Sequence, residues 1–252
     1  MRILVCVRQV PDGEDNLSIE NGFLSLAESK LVLDGMDEYG VEEALRLREA
    51  GTNAEIIAVG VGPESSLEAL RSALAMGVDR AIHVQGDTYL DPLCIAQVVA
   101  RIATMEEATL ILTGGQQADW DSHALGPAIA TWLRWPQVTW VSQLSLEKGV
   151  LSGTHDVDDG REQFSLPLPA VVTTQQGLNQ PRYPTLPNIF RAKQKELRRV
   201  SLTTYNVTPR LRILGQKRPL KSQVQRILDG TDAAHAASML VDLLRNEAKV
   251  LA

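Results

Sequence analysis

The 252-residue sequence holds only two cysteines, Cys6 and Cys94, each inside an apolar run. No Cys-x-x-Cys pattern is present, so a disulfide framework or a redox pair is set aside. Buried thiols in a reducing compartment are what the cysteines support. There is no run of 18 apolar residues, which argues against a transmembrane helix and against direct membrane insertion. The start, Met1 to Arg8, meets charge too soon for a signal peptide, and a cytoplasmic protein is expected. Basic residues are outnumbered: 25 Lys and Arg against 31 Asp and Glu give a net charge of −6. Nucleic-acid binders usually carry a basic excess, so no nucleic-acid partner is expected. Catalytic signatures are missing too. The chain has no Gly-x-Ser-x-Gly elbow, no His-Glu-x-x-His and no Gly-x-x-x-x-Gly-Lys-Ser/Thr loop. Gly60-x-Gly62 lacks the third glycine of a dinucleotide fingerprint, because position 65 is Ser65. No acid–base–nucleophile set assembles, so a carrier or binding protein is expected rather than an enzyme.

What is present is a regular alternation. Hydrophobic residues make up 44% of the chain, ample for a large core. Ile3 to Val10, Glu55 to Val59, Ala81 to Val84, Thr109 to Thr113 and Val138 to Val141 read as buried strands. Helical patterns separate them. One runs from Asp37 to Ala50 and stops at Gly51. The next opens on a capping box, Ser65 to Glu68, and closes at Gly77. Asp91-Pro92 opens a third, running to Met105, and a fourth starts near Leu125. This rhythm predicts an α/β, Rossmann-like fold: a mostly parallel twisted sheet with helices on both faces. After Gln143, Lys148-Gly149 and Asp159-Gly160 signal additional β-hairpin strands. A last amphipathic helix spans Asp232 to Ala248, with Ala236, Met239, Leu240, Leu243 and Leu244 as its stripe. Two parts are expected: a nucleotide-binding α/β domain over 1–208, and a C-terminal arm ending in a helix over 209–252. Thr204 to Asp229 shows no partner in the core.

Ligands of open parallel sheets bind outside the carboxyl ends of the strands. Val7 to Gly13, Asp34 to Asp37, Gly60 to Pro63 and Thr113 to Gly126 should meet there. The Gly114–Gly126 loop ends at a helix start, where unpaired N–H groups suit a phosphate. Nucleotide binding and ordinary strand-to-helix turns both remain open on pattern alone. His123 lies in this loop, whereas His83, His155 and His235 read as structural. Asp119 and Asp121 suit helix capping better than metal binding, so no metal is expected.

The stretch from Leu178 to Lys193 carries Pro181, Pro184 and Pro187. Each fixes its own φ and pushes its predecessor toward extended backbone, so the segment is too stiff for a linker and too broken for a helix. Tyr183, Leu186, Ile189 and Phe190 stand between and after these prolines, as in a docking element. The basic tail Arg191, Lys193, Lys195, Arg198 and Arg199 is either a solvated face or a surface that steers toward an acidic partner.

Five stretches in order carry a family resemblance: Arg2 to Val10; Val41 to Arg48; Leu70 to His83; Asp156 to Glu162 with Leu168 to Thr173; and Leu178 to Asn188. With them the chain resembles the electron transfer flavoprotein beta subunit family. The resemblance implies a heterodimer with an alpha subunit that carries redox-active FAD. That flavin takes electrons from a primary dehydrogenase and passes them to an electron acceptor such as a quinone oxidoreductase, so this chain would be an electron carrier subunit. It implies AMP as a structural ligand in this chain. Its nucleotide contacts would be Cys6, Asp34, Gly35, Met36, Asp37, Val61, Asp119, Trp120, Asp121, Ser122, His123, Ala124, Leu125 and Gly126. Leu186 matches the leucine that partner dehydrogenases grip, with Tyr183, Pro187 and Ile189 around it in a recognition loop spanning 179–192. Two alternatives stand beside this: an electron-bifurcating flavoprotein with a second FAD in this chain, and a free-standing nucleotide-binding module.

Overall fold

The computed structural model describes residues 1–13, 17–86, 90–116, 121–218 and 226–251. The chain divides into two compact units, Met1–Gln216 and Lys217–Ala252.

In the first unit the elements follow the order β1 (Arg2–Cys6), β2 (Gln9–Pro11), β3 (Ser18–Glu20), β4 (Phe23–Ser25), β5 (Leu31–Leu33), α1 (Gly35–Glu49), β6 (Glu55–Gly62), α2 (Leu67–Met76), β7 (Arg80–Gln85), α3 (Pro92–Met105), β8 (Leu110–Gly114), α4 (Leu125–Leu133), β9 (Gln137–Glu147), β10 (Val150–Val157), β11 (Gly160–Pro167), β12 (Ala170–Thr174), α5 (Leu186–Ala192) and β13 (Leu197–Ser201). Among the described residues, nine strands form one sheet in the order β11-β10-β9-β12-β8-β1-β6-β7-β13. Within this sheet all neighbouring pairs from β9 to β13 are parallel, and β10 pairs antiparallel with both β9 and β11. Alternation along β1 sets the layers. Ile3 and Val5 pack with Val41 and Leu45 of α1 and Leu70 of α2, while Leu4 and Cys6 pack with Val99 of α3 and Ile129 of α4. Helices therefore cover both faces of a mostly parallel sheet, as the alternation of patterns predicts.

Some local readings differ from the structure. The apolar run Ile3 to Val10 is not one strand. β1 ends at Cys6, and Val10 pairs with Val32 in a separate ribbon of β2 and β5. No capping box opens α2. Ser65 lies inside a 3-10 turn, Glu64–Ser66, so the cap position falls on Ser66, whose hydroxyl makes no cap bond but donates to Pro63 O at 2.6 Å and lies 3.0 Å from His83 Nε2. The Pro-rich stretch does contain a helix, α5: Thr185 accepts from Asn188 N, and Pro187 falls in the first turn, where its missing N–H costs nothing.

The basic tail is largely folded into structure. β13 extends the sheet beside β7, Lys195 Nζ donates to Leu74 O and Val78 O, Arg198 binds Glu106, and Arg199 binds Glu64. The stretch after Thr204 does have a partner. Tyr205 is buried, and Asp91, which caps α3 through Oδ1, uses Oδ2 to hold Arg210 N at 2.8 Å and Leu211 N.

In the second unit, Asp232 caps α6 (Ala233–Asn246) by accepting from Ala234 N and His235 N. Arg226 pairs with Glu247. The apolar stripe is present, but no residue of α6 is buried.

Candidate functional site

Chain order reverses around β1, which has β6 on one side and β8 on the other. Such a switch point leaves a crevice at the carboxyl ends of the strands. Here the crevice edge is tied together by Asp37. Its Oδ1 accepts from Gly114 N at 3.1 Å and its Oδ2 from Arg8 N at 3.0 Å, so one carboxylate joins the tips of β8 and β1 to the first turn of α1. Asp34, the α1 cap, accepts from Met36 N and from Arg8 Nη2 at 3.0 Å. Both carboxylates are about 1% exposed, and Arg8 serves both. Burial, reinforced by the Asp34 charge, pushes Asp37 up to about 7, against the pull of Arg8 and the two backbone donors. Burial and the Asp37 charge push the Cys6 thiol up to about 12.

Glycine is required at the tip of β8. A Cβ at Gly114 would approach Asp37 Oδ1 to 2.9 Å and Met36 Cβ to 3.1 Å. Gly126 has a different reason: its Cβ would collide with Thr173 Cγ2, so it lets α4 lie against β12. Gly60 and Gly62 face Leu70 and Ser66, which makes them packing positions for α2 and its leading turn.

The loop entering α4 is tethered back to β8. His123 Nδ1 lies 3.2 Å from Gly115 O, its Nε2 is 3.2 Å from Asp121 Oδ1, and its ring packs against Trp140 with centroids 5.0 Å apart. Asp121, His123 and Trp140 all adopt positive φ, at 48°, 52° and 58°. Non-glycine residues do this at an energetic cost that the surroundings must impose. Here Thr173 Oγ1 accepts from Trp140 N at 2.9 Å. Ala124 precedes α4 and supplies no side-chain cap.

The fold thus links Cys6, Asp34, Asp37, Gly114, Gly115 and His123 through contacts along one edge. Met36 touches the same point, and Val61 packs in the same apolar cluster as Cys6. Asp119 and Trp120 lie outside the described residues. Arg8, Thr173 and Trp140 were not singled out by sequence. Arg8 had a signal, a cation directly after a buried strand; the backbone of Trp140 had none.

The segment leading to α5 is anchored on the outer face of α1. Asn179 Nδ2 donates to Tyr39 O and Glu43 Oε2, both at 2.9 Å. Arg182 reaches Glu42 at 2.8 Å and Glu49 at 2.6 Å. Arg71 caps the far end through Ala192 O. From this footing Tyr183 stands 94% exposed, Leu186 72% and Phe190 66%, with Pro187 and Ile189 also at the surface. Large apolar side chains held outward on an anchored base are unusual on a surface without a partner.

Fold and switch point together define an open-sheet, Rossmann-like α/β protein. The family model described as electron transfer flavoprotein domain matches residues 24–205. The mitochondrial electron transfer flavoprotein subunit beta of Oryza sativa subsp. indica is 40% identical over 259 residues, covering 100% of both chains. The subunit beta of Bradyrhizobium diazoefficiens is 37% identical, again across 100% of both. The Homo sapiens subunit beta is 40% identical over 208 residues, 78% of this chain and 80% of the human one. The chain belongs to the electron transfer flavoprotein beta subunit family. No helix among the described residues is long and apolar enough to cross a membrane.

Proposed function

We propose that this chain pairs with an alpha subunit, binds AMP as a structural ligand and docks a primary dehydrogenase. In this reading FAD on the alpha subunit shuttles electrons to an acceptor such as a quinone oxidoreductase, and the beta chain is a carrier subunit. One observation carries it: an anchored, outward-facing apolar segment stands on the same helix, α1, whose first turn closes the sheet's switch point.

The residues present fit a nucleotide at that edge. Cys6 and Val61 offer apolar contact for a base. The α4 N-terminus, without a side-chain cap, offers amides from Leu125 and Gly126 to a phosphate. Ser122 and His123 border it, with His123 braced by Trp140. Asp34 and Asp37 hold the two strand tips and the start of α1 in register, and Gly35 and Met36 shape the mouth. Asp37 already accepts from two backbone amides, so its role in this reading is support rather than ligand contact.

On the docking side, Leu186 is the central anchor, flanked by Tyr183, Pro187 and Ile189. The exposed stripe of α6 is the surface we assign to the alpha subunit. A reducing compartment fits the two free, buried cysteines; the rice relative is named mitochondrial.

Acid extraction of the purified heterodimer tests the reading. AMP with one FAD per dimer is the expected yield. Two FAD without AMP would favour a bifurcating flavoprotein. A chain that stays monomeric and never pairs with a flavoprotein would leave only a nucleotide-binding module.

A further inference from the structure

Beside the docking segment a cleft of about 720 Å³ opens among the β2–β5 ribbon, α1, α2 and Pro181–Pro184. Leu31, Met36, Met76 and the two prolines give it apolar walls. A smaller hollow of about 370 Å³ shares Glu68, Ser72 and Pro184 with it and continues to Ile189 beneath the segment. The cleft is thus continuous with the surface from which Leu186 projects.

Its charges are unevenly satisfied. Two cations face it, Lys30 and Arg182. Lys30 is bound to Asp12 at 2.8 Å, and Arg182 to both Glu42 and Glu49. Two carboxylates face it as well, Glu38 and Glu68, and neither side chain has an ion pair or hydrogen bond among the described residues. Burial and the neighbouring Asp34 raise the pKa of Glu38, as expected where no cation stands opposite. Within the larger cleft the unpaired charge is therefore negative, while Arg71, bound to the Ala192 carbonyl, and Lys193 line the smaller hollow. Lysine and arginine bury their methylene stems on apolar walls while presenting a cationic tip.

We propose that this cleft receives a lysine or arginine side chain from the dehydrogenase that grips Leu186, so that docking combines an apolar anchor given and a basic side chain taken. This rests on the docking reading above. It also reverses the sign of the electrostatics suggested by the basic tail, whose Lys195, Arg198 and Arg199 are engaged within the fold.

The test uses the intact heterodimer and the dehydrogenase that reduces it. Glu68 is exposed on α2, so its variants keep the fold. Glu68→Lys should raise the KM of the dehydrogenase for the heterodimer about tenfold, and Glu68→Gln and Glu38→Gln about threefold, with kcat and flavin content unchanged. The salt dependence of kcat/KM should become shallower in all three. A short amphipathic Leu/Arg peptide should compete with the dehydrogenase, and its Leu/Glu counterpart should not. A wild-type KM and salt profile in Glu68→Lys, or equal competition by the two peptides, overturns the proposal. Leu186→Ala is run in parallel. If it raises KM while Glu68→Lys does not, the cleft assignment alone fails; if neither moves KM, the docking reading fails with it.

Discussion

Asp37 Oδ1 accepts a hydrogen bond from Gly114 N across 77 positions of sequence, and its other oxygen takes Arg8 N. The closure of the sheet's carboxyl edge depends on this one side chain. Asp37→Ala leaves two amides without their acceptor, and a loss of about 2–4 kcal/mol is expected in chemical denaturation. Asp37→Asn keeps one acceptor oxygen and should lose less.

The same residue predicts a pH dependence. Folding raises its pKa from the ordinary carboxylate range to about 7. Between those values the native chain holds a proton that the unfolded chain has released. Stability from this group is therefore full on the acid side and declines as pH rises through that window. From pH 5 to 8 the denaturation midpoint of the wild type should fall relative to that of Asp37→Asn, because only the wild type releases a proton there. Parallel curves would refute the assignment.

Gly126→Ala should force α4 away from β12, because a Cβ collides with Thr173. A destabilisation of about 1–3 kcal/mol is expected, as for other overpacked contacts. In Thr173→Ser the colliding Cγ2 is gone, so the double variant should recover part of the loss.

Leu186→Ala removes a largely exposed side chain, so stability should stay within about 0.5 kcal/mol of wild type. The KM of the dehydrogenase should rise, with flavin content unchanged. Arg198→Ala should do the opposite. It takes one of two guanidinium partners from buried Glu106, leaving Arg80 at 2.6 Å, so stability should fall while dehydrogenase kinetics hold.

Asp91→Ala removes both the α3 cap and the clasp on Arg210 and Leu211. Limited proteolysis should then cut after Tyr205, where the wild-type chain resists.

These cases show what sequence could reveal. The sheet was legible because buried parallel strands such as Ile56 to Val59 and Leu110 to Leu112 are continuous apolar runs, and because Asp91-Pro92 and Gly77 mark helix ends locally. The edges of the site were less so. Asp37 reads as an ordinary first-turn acid, and only the fold brings Gly114 and Arg8 to it. Ser65 to Glu68 satisfies the spacing of a capping box, yet the neighbouring Ser66 is engaged by Pro63 and His83, the latter from a different strand. Three prolines suggested an unbroken irregular loop, although Pro187 at the second helical position is compatible with α5. β13 was hidden because Arg198 and Arg199 look solvent-seeking, and their carboxylate partners lie 92 and 135 positions away.

Cys6 and Cys94 are each about 3% exposed, and both thiols are held above their ordinary pKa by burial. Little thiolate is present at neutral pH, so both should be slow toward maleimides and iodoacetamide. The native chain is then close to a cysteine-free background for labelling. A fluorophore on Leu186→Cys, or on a substituted Glu68, would report from one chosen point and allow partner arrival to be followed in real time without first rebuilding the protein.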